Sequence, residues 1–100
     1  MEKNVLQTKT KKQLQKPSMY MVLFHNDDYT TVEFVASVLM TVFQKSYLDA
    51  MHITMEVHNK GIALVGIYTY EVAQTSVRQV EILAEQCDYP FLATMEETTL

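Results

Sequence analysis

The run Met19-Tyr20-Met21-Val22-Leu23-Phe24 is apolar at both alternating positions and stops at the polar cluster His25-Asn26-Asp27-Asp28, the pattern of a buried strand meeting a turn. The next segment reads as helix. Thr30-Thr31-Val32-Glu33 has the spacing of a capping box, with Thr30 as the cap, in which two amide donors without intrahelical partners are satisfied reciprocally. Phe34, Val35, Val38, Leu39, Val42 and Phe43 then draw one apolar stripe to about Gln44. Ser46-Tyr47-Leu48-Asp49 is a second start signal, leading into Leu48, Met51 and Met55 and a shorter helix that ends near His58. Asn59-Lys60-Gly61 stops it, because Gly61 is free to take positive φ.

Ile62 to Tyr68 is a β-rich run interrupted by Gly66, where a missing side chain admits close approach by another group. Thr69 caps a third helix. Its inner stripe is expected to be Val72, Ala73, Val77, Val80, Ala84 and Cys87, with Glu71, Gln74, Arg78, Glu81 and Glu85 outward. Asp88-Tyr89-Pro90 breaks it. Phe91 to Met95 can form a last strand, and Glu96 to Leu100 should fray. The order β-α-α-β-α-β in 100 residues predicts one α+β domain: a three-stranded antiparallel sheet with three helices packed on one face.

Residues 1 to 16 fall outside that domain. They hold Lys3, Lys9, Lys11, Lys12 and Lys16 with little apolar material, too little to offset the entropy of ordering, so a flexible basic arm is expected. The body is the reverse, with eleven acidic residues from Asp27 to Glu97 against Lys45, Lys60 and Arg78. Such a surface repels nucleic acid. No apolar run approaches the length of a membrane span, and the chain reads as cytoplasmic. One cysteine, Cys87, permits no internal disulfide and no multi-cysteine zinc site.

Chemistry concentrates in two places. Asn26, Asp27 and Asp28 suit a turn, since their side chains bond nearby backbone amides, but their oxygens also suit a cation. His58 suits a helix C-terminus, where the dipole favours it, and as a neutral imidazole offers one further acceptor. An ammonium group has three donors and no acceptor, so three converging acceptors would satisfy it. Enzymatic readings have less support: Cys87 lies on an expected buried stripe, where thiols are inert, and there is no phosphate loop. Asp27, His25, His52 and His58 match no metal-ligand spacing, and neither a metal nor another cofactor is expected.

With those residues in view, the chain resembles the ClpS family of N-end-rule adaptors from about Pro17 to Glu96. The blocks are Pro17-Ser18-Met19-Tyr20, Asn26-Asp27-Asp28-Tyr29-Thr30, Glu33-Phe34-Val35, Val57-His58 with Gly61, Gly66 with Tyr68-Thr69, Glu71-Val72-Ala73, and Pro90 with Thr94 and Glu96. The resemblance implies an adaptor domain over residues 17–100 that binds the first residue of a substrate protein and delivers it to a Clp protease. It implies that Asn26, Asp27 and His58 hold the α-ammonium group and that Asp28 and Thr30 shape the loop. A bulky side chain (Leu, Phe, Tyr or Trp) would enter a pocket of Thr30, Val32, Val35, Thr54, Val57 and Phe91. Glu71, Gln74 and Thr75 would meet a ClpA-like Clp AAA+ unfoldase, which the arm would engage during hand-over. The competing expectation is a non-catalytic interaction module with ribosomal-stalk-like topology and no such pocket.

Overall fold

The computed structural model describes residues 18–99, so the expected arm at residues 1–16 lies outside the described residues. Its elements are β1 (Met19–His25), α1 (Val32–Thr41), α2 (Tyr47–Lys60), β2 (Ile62–Tyr68), α3 (Tyr70–Gln86) and β3 (Leu92–Thr98). The strands form one antiparallel sheet in the order β2-β1-β3. The expected α+β order and sheet are therefore present.

β1, the central strand, buries alternate residues on the covered face: Val22 and Phe24 have no exposed surface. In register, Phe24 lies between Ala63 of β2 and Ala93 of β3, whose methyl groups leave room for a ring. Phe24 meets Phe43 edge-on at 5.6 Å and Phe91 at 4.9 Å between centroids, a geometry that adds about 0.5–1.5 kcal/mol per pair beyond burial. α1 packs on α2, α2 meets β2, and α3 crosses all three strands. The opposite sheet face, with Leu64, Ile67 and Leu92, is exposed. Between Val22 and Leu23 the β1–β2 register slips by one, making Val65 the extra residue of a bulge. Gly66 follows, and the Tyr68 phenol passes so near that a Cβ there would sit 2.5 Å from its oxygen.

Several local expectations need correction. The α1 cap is Thr31, which accepts from the Phe34 amide, and not Thr30; the Thr30 hydroxyl is already committed to Asp27. α1 stops at Thr41 instead of Gln44, because Gln44 takes a left-handed φ of 58° and the Lys45 amide turns back to the Leu39 carbonyl. α2 continues past His58 to Lys60, and Gly61 then closes it at φ 86°. β3 begins at Leu92 and runs on through Glu96 and Glu97, since these residues pair with Met21 and Tyr20 of β1.

The inner stripe of α3 is Ala73, Ser76, Val80 and Ala84, with Val77 half-buried. Val72 and Cys87 are exposed. Val72 lies in the first turn, one residue off the covered line, and Cys87 is the C-cap, where ψ has opened to 0° and the helical period no longer applies.

Candidate functional site

The end of β1 and the end of α2 are stitched together by backbone. Gly61 donates to the Val57 carbonyl at 2.8 Å, closing the helix, and its own carbonyl accepts from the Asn26 amide at 2.9 Å. Only the positive φ of Gly61 lets one residue end the helix and face the strand in this way. Asn26 is thereby held beside the last turns of α2, which carry Thr54, Val57 and His58 at i, i+3 and i+4 on one face.

Asp27 organises the loop between β1 and α1. Its Oδ1 accepts from the Tyr29 amide at 2.8 Å and the Thr30 amide at 2.7 Å, and its Oδ2 accepts from the Thr30 hydroxyl at 2.8 Å. An ionised carboxylate has about four acceptor sites, so one direction on Oδ2 is left for an incoming donor. Burial alone pushes this carboxyl up. The bonds from the Thr30 and Tyr29 amides and the Thr30 hydroxyl together outweigh it and hold the group below its usual value of 3.8. Hydrogen bonds to the charged form favour it. Loop order contributed by this depressed group is therefore complete above the unfolded value and lost as pH falls through the lower folded one. An NMR titration of Asp27 from about pH 6 to about pH 2 should show a midpoint below that of a free aspartate; a midpoint above it would mean that burial prevails.

Asn26, Asp27, Asp28 and Thr30 from the loop, Val32 and Val35 from α1, and Thr54, Val57 and His58 from α2 line one cavity of about 270 Å³. Its composition is graded. Asn26, Asp28 and His58 are exposed at the rim, whereas Val35, Thr54 and Val57 are buried in the walls. Val32 stands between, 38% exposed. Acceptors thus stand on the exposed side of a small cavity whose buried wall carries two aliphatic side chains and one hydroxyl, an arrangement able to hold a cation attached to an apolar group. Ligand pockets for drug-sized molecules run from about 300 Å³ upward, so this one is sized for a single amino-acid residue.

Phe91, the remaining pocket candidate, does not line this cavity. It is buried against Phe24 and Phe34, where its ring fills the core beneath α1. Glu71, Gln74 and Thr75 are exposed together on α3. Gln74 and Thr75 border a separate hollow that also touches Arg78 and Met95, remote in sequence from the acceptor-rimmed cavity. The sequence reading missed a larger apolar groove of about 630 Å³ between α1 and α3, lined by Phe34, Val38, Val42, Ile82 and Leu83 among others. Its only signal was a pair of helices with apolar residues left over. No charged side chain lines it.

His25 shares a 2.8 Å hydrogen bond with Thr94 across the sheet. Among the described residues no group of three or more His, Cys, Asp or Glu side chains is placed to hold a metal ion, and no helix is long and apolar enough to cross a membrane.

Comparison with known proteins bears on the same surfaces. Residues 15–94 match the family model described as ATP-dependent Clp protease adaptor protein ClpS. An ATP-dependent Clp protease adapter protein ClpS from Acetivibrio thermocellus is 43% identical over 95 residues, covering 95% of this chain and 96% of the relative. The protein of that name from Phenylobacterium zucineum is 50% identical over 90 residues, covering 90% of this chain and 83% of the relative. Among solved structures, that of Agrobacterium tumefaciens ClpS2 bound to L-phenylalaninamide superposes with a TM-score of 0.79 at 33% identity, over 82% of this chain and 99% of the other. The chain therefore belongs to the ClpS family, the adaptor proteins of the ATP-dependent Clp protease.

Proposed function

We propose that this chain is a non-catalytic adaptor that binds the free N-terminal residue of a substrate protein and hands the substrate to a Clp ATPase-protease. The observation that carries this reading is the cavity with exposed acceptors on one side and buried aliphatic groups in its wall. The α-ammonium group would sit among Asn26, Asp27 and His58, and the side chain would point down toward Val35, Thr54 and Val57. Support comes from the relative bound to L-phenylalaninamide, a molecule with a free α-amine, an apolar side chain and a capped carboxyl, as at the start of a peptide.

The two halves of the cavity act jointly. Burying a large apolar side chain contributes roughly 1.5–3 kcal/mol, and a hydrogen bond to a charged group about as much. An internal residue brings no ammonium and would leave Asn26 and Asp27 facing a neutral amide. The exposed cluster Glu71, Gln74 and Thr75 on α3 lies on other residues than the cavity, so a ClpA-like Clp AAA+ unfoldase could dock there while substrate stays bound. The action is assigned to the cytoplasm, and the acidic body, which repels nucleic acid, favours protein partners over nucleic acid and membrane.

Binding should be measured to short peptides that differ only at position one. Leu, Phe, Tyr and Trp are expected to bind at least about tenfold more tightly than Gly, Ser or Asp, given one buried side chain at about 1.4 kcal/mol per tenfold. Equal affinities across the panel would rule out the cavity as the recognition site.

A further inference from the structure

Thr54 is 2% exposed and lines the wall of a cavity whose other buried members, Val35 and Val57, are aliphatic. A hydroxyl in such a place needs a partner, and the structure gives it one: Thr54 Oγ1 donates to the Ala50 carbonyl one turn back, at 2.7 Å. That bond uses the only hydrogen the hydroxyl has. Its lone pairs remain, so toward the cavity Thr54 can act as an acceptor and not as a donor.

Thr54 is buried where His58 on the same helix is exposed, so Thr54 lies on the inner side of the cavity wall. Thr54 precedes His58 by four residues on α2, and at 1.5 Å of rise per residue the two lie about 6 Å apart along the axis. On the proposed reading, His58 marks the level of the ammonium group. A separation of about 6 Å along the helix is roughly the reach of the far end of a six-membered ring attached one carbon beyond Cα. A phenol oxygen would arrive there with a proton to give; the para-carbon of phenylalanine would arrive with none.

We infer that Thr54 is a specificity-determining residue that favours an N-terminal tyrosine by accepting its phenolic hydrogen bond at the end of the cavity. The inference rests on the reading of the cavity as the N-terminal residue site and concerns selection within it. Without an acceptor, a buried phenol is left unpaired, and tyrosine is disfavoured against phenylalanine. With one, the desolvation cost is offset and tyrosine becomes competitive or preferred. Thr54→Val replaces the hydroxyl by a methyl of nearly the same shape, and Thr54→Ser keeps the hydroxyl and drops the methyl.

The experiment is binding of three peptides, beginning with tyrosine, phenylalanine and 4-methylphenylalanine, to the unaltered chain and both variants. Thr54→Val should weaken the tyrosine peptide about tenfold relative to phenylalanine, from the loss of one hydrogen bond that leaves a buried partner unpaired. It should leave the 4-methylphenylalanine peptide unchanged relative to phenylalanine, which removes ring length as the cause. Thr54→Ser should keep the ratio of the unaltered chain. An unchanged tyrosine-to-phenylalanine ratio in Thr54→Val, with phenylalanine still bound, would overturn this inference alone. Failure of the unaltered chain to bind any of the three would overturn the reading of the cavity and this inference with it.

Discussion

Acetylating the α-amine of a peptide that begins with phenylalanine should lower its affinity by about a hundredfold or more. The acetyl group removes the positive charge and two of the three donors, while the side chain is untouched. What stays behind in the protein is costly: Asp27 keeps its charge, because three internal hydrogen bonds hold it ionised, and its open direction on Oδ2 loses the donor that matched it. Hydrogen bonds to charged groups contribute about 1.5–3 kcal/mol each, so two of them account for a hundredfold or more at about 1.4 kcal/mol per tenfold. Fluorescence polarisation with the free and acetylated peptides measures the difference directly. If the acetylated peptide bound as well as the free one, the rim would not be an ammonium site and the proposed function would fall.

Phe24→Ala should remove roughly 3–5 kcal/mol of folding stability, the range for deleting a buried aromatic ring with partial collapse of the space it leaves. Phe24 has no exposed surface, touches the rings of Phe43 and Phe91, and is flanked by Ala63 and Ala93, which are too short to move into the gap. Small domains have about 5–15 kcal/mol in total, with chains of this size toward the lower end, so the variant should be largely unfolded at moderate denaturant. Urea titration followed by circular dichroism gives the shift. A loss below about 1 kcal/mol would mean that the core is centred elsewhere. The same variant should also lose peptide binding, because β1 carries Asn26 at its end.

Much of the architecture was legible because the signals were local. Ser46 and Thr69 cap their helices through bonds to the Asp49 and Val72 amides, and Gly61 takes the left-handed turn its position demands. Where the structure departs from those signals, a competing contact decides, in the adjoining loop or across the fold. The capping-box spacing to Glu33 points to Thr30, but Asp27, three residues away, takes the Thr30 hydroxyl, and Thr31 caps the helix instead. The last strand outran its apolar residues because β1 had edge left to pair with Glu96 and Glu97. On α3 an apolar count favoured Val72 and Cys87 over Ser76, yet the covered line is fixed by where the sheet lies under the helix, and a small hydroxyl fits there. The cavity members from the loop, α1 and α2 could be named one by one, but no local rule says that Phe91 turns toward Phe24 instead. Ring against ring is a matter of packing, invisible in spacing.

The strand order β2-β1-β3 has a bearing on how the protein is made. Of the three strands, the first to be synthesised is the one that must end up in the middle, and one of its two neighbours, β3, whose Thr98 pairs with Met19, is the last of them to follow. Until then the nascent chain holds a half-completed sheet with a sticky, hydrogen-bond-hungry border. Cooperative closure therefore waits for β3, and a polypeptide that stops short of Leu92 cannot complete the sheet.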